Sequence, residues 1–247
     1  MSKTEIQIAP KIIGHRGVAG HAPENTIASI RRAAELGAPW VEFDVQLSRD
    51  NIPVLFHDET LDRTTNASGP VDAKSAAELN RLDAGSWFSP EFTGEPVPTL
   101  AAVFDELERL RLGANIELKP SPARALETGR VVAAMVAADW PASLPAPLIS
   151  SFQEDALAGF REVAPDFDRA FISFRVPRDW RKRMQCSGCV ALHCLGKHLT
   201  EKRVAAIRNA GYTLRCFTIN DVALGRQLLD WGVDALISDF PERLLKL

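Results

Sequence analysis

The sequence predicts an eight-stranded parallel β/α barrel, and three observations support this prediction. The chain has 247 residues, a length that fits one barrel domain. Eight short apolar or β-branched runs recur along it, and helix-period segments separate most of them. The chain shows no low-complexity tract and no internal repeat. We therefore expect a TIM (β/α)8 barrel that forms a single domain over residues 1–247.

The eight predicted strands are short and largely apolar, as strands buried on both faces of a parallel sheet should be. They cover residues 11–15, 40–45, 114–119, 147–152, 169–174, 189–194, 213–218 and 234–239. Helical periodicity covers residues 26–36, 99–111, 123–139, 154–163, 200–210 and 221–231. Helices are therefore predicted between most neighbouring strands, although not between every pair.

A ninth strand-like run, PVLFHD at 53–58, has no helix before it and cannot be a barrel strand of its own. A two-residue turn at Asp50-Asn51 would fold it back on the second strand as a β-hairpin. This excursion sets Asp44 opposite His57 and returns His57 to the carboxyl end of the second strand.

An insertion follows the hairpin over about residues 59–98, where Gly, Ser, Thr and Asp are frequent. It contains the aromatic pair Trp87-Phe88. A long loop in an otherwise compact domain is usually functional, so both aromatic residues are candidates for a substrate pocket. Packing within the insertion is the alternative interpretation of the same pair.

Composition and charge exclude several classes of partner. The formal net charge is −3, which favours neither a nucleic-acid nor a membrane-surface partner. The first residues, MSKTEIQIAP, lack the basic and apolar regions of a secretory signal, and no apolar run is long enough to suggest membrane insertion. We expect a cytoplasmic protein, and the sequence leaves its oligomeric state open.

The chain has four cysteines, at positions 186, 189, 194 and 216. Cys186-x-x-Cys189, with histidines nearby, raises the question of a zinc site. The spacing matches no common zinc pattern, and CVALHC resembles a buried strand. Reduced core thiols are the better interpretation.

Charged side chains cluster at the carboxyl ends of neighbouring strands, where a barrel carries its chemistry. They are His15 and Arg16 after the first strand, Glu42 and Asp44 on the second, His57 from the hairpin, and Glu117 and Lys119 on the third. Residues two apart on a strand point to the same side. Three carboxylates meeting in this way would repel one another, and a hard divalent cation such as Mg²⁺ or Ca²⁺ resolves the repulsion.

The remaining charges indicate an anionic substrate. Three carboxylates and one divalent cation sum to −1, a phosphate monoanion adds another −1, and Arg16 and Lys119 offset both. His15 and His57 can then serve as general base and general acid. Hydrolysis of a phosphodiester follows as a hypothesis from this arrangement.

These blocks also resemble a known family. "HRG…APENT", "EFDVQLSRD…PVLFHD" and "NIELKP" are similar to the signature blocks of glycerophosphodiester phosphodiesterases, closest to the short cytosolic bacterial enzymes. The resemblance implies hydrolysis of glycerophosphodiesters to an alcohol and sn-glycerol 3-phosphate with Mg²⁺ or Ca²⁺. The hypothesis for the mechanism is internal attack, in which the glycerol 2-hydroxyl attacks phosphorus and forms a cyclic phosphate. It implies His15 and His57 as the acid–base pair, Glu42, Asp44 and Glu117 as metal ligands, and Arg16 and Lys119 on the phosphate.

Other strand-end residues are candidates for the substrate pocket. Phe152, His193 and Phe217 follow or end later strands, and the family more often carries Trp where this chain has Phe217. Two alternatives stay open at this point. One is a related barrel phosphodiesterase for lysophospholipids or inositol-type diesters, and the other is an inactive barrel kept as a ligand-binding module.

Overall fold

A computed structural model describes residues 10–247, and it contains a closed barrel of eight parallel strands. These strands are β1 (Ile12–Gly14), β2 (Trp40–Leu47), β4 (Gly113–Leu118), β5 (Leu148–Ser151), β6 (Arg169–Ser173), β7 (Ala191–Leu195), β8 (Thr213–Phe217) and β9 (Ala235–Ser238). β9 pairs with β1, and β1 pairs with β2 through Gly14 and Val41, which closes the cylinder. The predicted TIM barrel is confirmed. Residues 1–9, on which the prediction about a secretory signal rests, lie outside the described residues.

Helices surround the barrel between successive strands. They are α1 (Ile27–Glu35), α2 (Ala76–Leu79), α3 (Leu100–Leu110), α4 (Ala125–Asp139), α5 (Glu154–Val163), α6 (Trp180–Ser187), α7 (Glu201–Arg208) and α8 (Val222–Asp230). Threonine side chains fix two of the starts, since Thr26 and Thr99 accept hydrogen bonds from backbone N–H groups in the first turns of α1 and α3. α4 and α5 cross so closely that a Cβ at Gly129 would lie 2.1 Å from the carbonyl oxygen of Ala156.

α6 was not among the predicted helices. Its sequence, WRKRMQCS, is short and strongly basic, and three of its residues are buried: Trp180, Met184 and Ser187. One turn and a half of apolar contact gives too weak a periodicity to distinguish a helix from a loop.

The predicted hairpin is present as β3 (Pro53–Leu55), which runs antiparallel to the last three residues of β2. The predicted two-residue turn is wrong. Ser48 N–H bonds to the carbonyl of Ile52 at 3.0 Å, which leaves a three-residue loop whose last residue, Asn51, is left-handed at φ 62°. The extra residue shifts the register by one, so Asp44 pairs with Phe56 and not with His57.

The insertion between β3 and α3 has a small apolar core of its own. Its buried residues are Val54, Phe56, Leu61, Val71, Ala76, Leu79, Ala84 and Val97. This core holds the insertion against the hairpin, next to the carboxyl ends of the first strands.

The cysteines are distributed as core thiols and one surface thiol. Cys189, Cys194 and Cys216 are buried, and Cys186 is exposed on α6. Within residues 10–247, no helix combines the length and apolar character needed to cross a bilayer.

Candidate active site

A cavity of about 370 Å³ opens at the carboxyl ends of the barrel strands. One half of its wall is charged and comes from β1, β2, the hairpin and β4, and the other half is mainly apolar and comes from β5 to β9. All seven charged residues predicted at the strand ends line it: His15, Arg16, Glu42, Asp44, His57, Glu117 and Lys119.

Three carboxylates form the centre of the charged half. Glu42 and Asp44 lie on β2, and the register of β2 with β4 sets Asp44 beside Glu117. One oxygen from each lies within 4.8 Å of the others, and all three residues are buried. Burial, then the charge of Asp44, raises the pKa of Glu42 well above its usual value and that of Glu117 to about 7.

This trio fits a hard divalent cation. Its donors are all carboxylate oxygens, which Mg²⁺ and Ca²⁺ prefer. Oε1 of Glu117 is buried and has no hydrogen-bond partner among residues 10–247, although Lys119 Nζ forms an ion pair with it at 3.3 Å. A buried carboxylate oxygen with an ion pair but no hydrogen bond is incompletely compensated for its loss of water, and a cation bound there would supply the missing interaction.

His15 is oriented from the opposite end of the chain. Its Nδ1 lies 2.7 Å from Oδ1 of Asp239, directly after β9. Asp239 in turn accepts a hydrogen bond from Asn220 at 2.7 Å. Because an ionised carboxylate can only accept, this pairing places the proton on Nδ1. The other nitrogen, Nε2, lies 3.9 Å from Glu42.

His57 is held in the same way on the other side of the acidic trio. Its Nδ1 lies 2.5 Å from Oδ1 of Asp58, and its Nε2 lies 2.6 Å from Nζ of Lys119. An ammonium can only donate, so Nε2 carries the lone pair and Nδ1 the proton. Burial lowers the pKa of His57, which favours this neutral form.

Arg16 is fixed through its backbone as well as its side chain. Its backbone is left-handed, with φ 50°, and its N–H donates to Glu42 at 3.0 Å. Its guanidinium donates to Glu24 at 2.6 Å, and Nε lies 3.4 Å from Asp44. Lys119 Nζ lies 3.7 Å from Asp44 as well. Two positively charged side chains, Arg16 and Lys119, therefore border the carboxylates on the cavity side.

Comparison with known proteins agrees with this geometry. The model of the glycerophosphoryl diester phosphodiesterase family matches residues 15–243. The chain belongs to this family. The predicted family and the predicted enzyme class are thereby confirmed.

Three relatives illustrate how far the likeness extends. A solved Oleispira antarctica phosphodiesterase, in complex with the product sn-glycerol-3-phosphate, superposes with a TM-score of 0.93 and is 39% identical over 96% of each chain. The YhdW protein of Bacillus subtilis (strain 168) is 35% identical, with 95% of this chain and 96% of that protein covered. A glycerophosphodiester phosphodiesterase of Caldanaerobacter subterraneus subsp. tengcongensis is 32% identical, with 96% of each chain covered.

The apolar half of the cavity contains three of the five pocket residues predicted for this family member. Phe152, His193 and Phe217 line it, together with Phe174, which is 63% exposed at the rim. The ring centroids of Phe152 and Phe174 are 4.9 Å apart, and those of Phe152 and Phe217 are 6.1 Å apart. Burial, then the charge of Arg215, lowers the pKa of His193 well below its usual value.

Trp87 and Phe88 do not line the cavity. Their rings pack edge to face at 5.7 Å, and Phe88 packs in the same way on Phe92. The indole N–H of Trp87 donates to the carbonyl of Ala84 at 2.8 Å. The alternative interpretation, packing within the insertion, describes what the structure shows for this pair.

Several residues of the phosphodiesterase site were not singled out from the sequence. They are Glu24, Asn25, Arg63, Asn220 and Asp239, and each contacts a predicted site residue or its partner. Asn25 binds Asp44 with both ends of its amide, at 2.8 and 3.0 Å. Two of them, Glu24 and Asn25, stand in the APENT block that carries the family resemblance, which was the signal available.

Proposed function

We propose that this enzyme hydrolyses glycerophosphodiesters to an alcohol and sn-glycerol 3-phosphate, with His15 and His57 as its acid–base pair. One observation carries the proposal. Two histidines, each with a carboxylate on Nδ1, border the same group of three buried carboxylates in one cavity. The product in the O. antarctica relative agrees with a glycerol phosphate bound in a barrel of this shape.

The proposal includes a divalent cation, Mg²⁺ or Ca²⁺, held by Glu42, Asp44 and Glu117. When bound, it would supply positive charge for the phosphate oxygens as negative charge builds on them. Arg16 and Lys119 would contact the same phosphate. Their two positive charges would offset the net charge of −2 that the three carboxylates, the divalent cation and a phosphate monoanion carry together.

We propose an order for the histidines, which the contact of His57 Nε2 with Lys119 supports. His57 has its lone pair on Nε2, so it begins as the base and takes the proton of the glycerol 2-hydroxyl, whose oxygen bonds to phosphorus. His15 would begin as the acid in its imidazolium form, with Nδ1–H on Asp239, and would donate its Nε2 proton to the oxygen of the departing alcohol as the bond from that oxygen to phosphorus breaks. Water then opens the cyclic phosphate with the two roles reversed.

The test is release of glycerol 3-phosphate from glycerophosphocholine by the purified protein. We expect turnover with Mg²⁺ or Ca²⁺ and loss of turnover in EDTA, restored by adding the cation back. Full activity in EDTA would refute the metal proposal alone. Equal rates on a diester without a hydroxyl next to the phosphate would refute internal attack alone.

A second substrate class is favoured by one observation. Phe152, Phe174 and Phe217 form a continuous apolar wall from the cavity to its rim, which suits the acyl chain of a lysophospholipid. Rates on lysophosphatidylcholine and glycerophosphocholine at equal concentration decide between the two. A higher rate on the lysophospholipid would make it the preferred substrate.

A further inference from the structure

We infer that Arg63, which belongs to the insertion and not to the barrel, is a positioning residue for both His57 and Arg16. It is exposed and does not line the cavity, and it acts through two carboxylates, Asp58 and Glu24. The inference rests on the proposed function, because it takes His57 as an acid–base group and Arg16 as a phosphate contact.

Arg63 holds both carboxylates at once. Its Nε and Nη2 donate to the two oxygens of Asp58 at 2.7 and 2.9 Å. Its Nη1 and Nη2 donate to the two oxygens of Glu24 at 2.8 Å each. Such paired contacts need the planar fork of a guanidinium, and the single ammonium of a lysine cannot reproduce them.

Through Asp58, Arg63 controls which ring nitrogen of His57 carries the proton. Hydrogen bonds from Arg63 hold the pKa of Asp58 well below its usual range, so Asp58 stays ionised and can only accept. The same Oδ1 that receives Nη2 of Arg63 lies 2.5 Å from Nδ1 of His57. The proton is thereby kept on Nδ1, and Nε2 is left for the substrate.

Through Glu24, Arg63 controls the position of Arg16. Glu24 Oε1 receives Nη2 of Arg63 at 2.8 Å and Nη1 of Arg16 at 2.6 Å. Burial opposes ionisation of Glu24, but the hydrogen bonds and charges of Arg63 and Arg16 together outweigh it, so the pKa of Glu24 lies below its usual value. A continuous series of hydrogen bonds thus links the two sides of the phosphate pocket. It runs through Arg16, Glu24, Arg63, Asp58 and His57.

The turn that carries Arg63 is firmly anchored. Leu61, fully buried in the core of the insertion, precedes it. Leu61 bonds through its N–H to Gly69 at 3.0 Å and through its carbonyl to Thr65 at 3.1 Å. Without the guanidinium, Asp58 would keep only its contact with His57 and Glu24 only its contact with Arg16, and the two negative charges would repel each other and shift.

The first experiment compares kcat and KM of the wild type, Arg63→Lys and Arg130→Lys on glycerophosphocholine with saturating Mg²⁺. Arg130 is the matched control, since it is exposed and pairs with one carboxylate, Glu162, at 2.7 Å on the outer surface. We expect Arg63→Lys to lower kcat roughly 10- to 100-fold and to raise KM several-fold, because small displacements of reacting groups have effects of about this size. Arg130→Lys should stay within about twofold of the wild type.

Double-mutant cycles separate positioning from a general loss of structure. With Asp58→Asn already present, adding Arg63→Lys should lower kcat less than threefold, because its route to His57 is gone. With Glu24→Gln present, the added change should leave KM nearly constant. Additive effects in both backgrounds, or wild-type kinetics for Arg63→Lys, would overturn the inference.

Imidazole ¹⁵N spectra give a readout that does not depend on turnover. The His57 signals should show a proton on Nδ1 in the wild type and a mixture of tautomers in Arg63→Lys. An unchanged pattern would also overturn the inference. His57→Ala at the wild-type rate would instead refute the proposed function, so the two failures are distinguishable.

Discussion

Replacing Glu117 with glutamine should stabilise the cation-free protein at alkaline pH, even though it damages the site. Burial and the charge of Asp44 raise the pKa of Glu117 to about 7, against an ordinary value of 4.5. A raised carboxyl pKa means that the folded protein binds more protons than the unfolded chain between these two values, so stability falls as pH rises through them. A carboxyl pKa of about 7 in place of 4.5 lowers the free energy of unfolding by at most about 3 kcal/mol at pH 8.

Glutamine has the shape of the carboxyl group without its charge, so Glu117→Gln removes this cost. In EDTA at pH 8 we expect the variant to unfold at a higher urea concentration, with a gain of at most about 3 kcal/mol. At pH 5 the gain should shrink below about 1 kcal/mol, because Glu117 is then largely protonated in the folded protein.

An added divalent cation should make the wild type more stable than Glu117→Gln at pH 8. A cation at 100 times its dissociation constant stabilises the wild type by about 2.7 kcal/mol, and the variant, with one ligand fewer, should gain much less. Glu162→Gln on the outer surface is the control and should change stability by less than about 1 kcal/mol at either pH. A wild type more stable than Glu117→Gln at pH 8 in EDTA, or equal gains with Mg²⁺, would show that the carboxylates do not form a strained cation site.

Three further outcomes are expected. His57→Ala should lower kcat about 10²- to 10⁴-fold, with an unchanged circular dichroism spectrum, since it removes one acid–base group. Asp239→Asn should lower kcat at least about tenfold with little change in KM, because an amide no longer fixes the proton on His15 Nδ1; equal kcat values would contradict this orientation. Glu106→Gln should lower the free energy of unfolding in urea by about 1 kcal/mol at pH 7, because hydrogen bonds from Arg109 and then Arg31 lower the pKa of Glu106 to about 2. A lowered carboxyl pKa stabilises above its ordinary value, so this cost should disappear as pH falls from 4.5 toward 2.

The barrel and the charged half of the site were predictable because both follow from local patterns. Short apolar runs indicate buried strands, and strand ends carry the chemistry of this fold. Spacing of two residues correctly predicted that Glu42 and Asp44 share a face, and both line the cavity. The family resemblance then gave the residues their expected roles.

What was not predictable depends on contacts between distant parts of the chain. His15 and Asp239 are 224 residues apart, and no periodicity connects them. Arg63 lies in a turn of the insertion, where the sequence gives neither strand nor helix to define its direction. The hairpin register failed for a local reason, because Asn51 adopts a left-handed backbone and lengthens the loop by one residue.

The contact between His15 and Asp239 ties the proposed activity to closure of the barrel. The histidine follows the first strand of the barrel, and the carboxylate that orients it follows the last strand. A nascent or truncated polypeptide without β9 would hold all three acidic ligands and both imidazoles, yet one imidazole would still rotate freely. On the proposed roles of the histidines, we therefore expect turnover only once the last barrel strand has paired with the first.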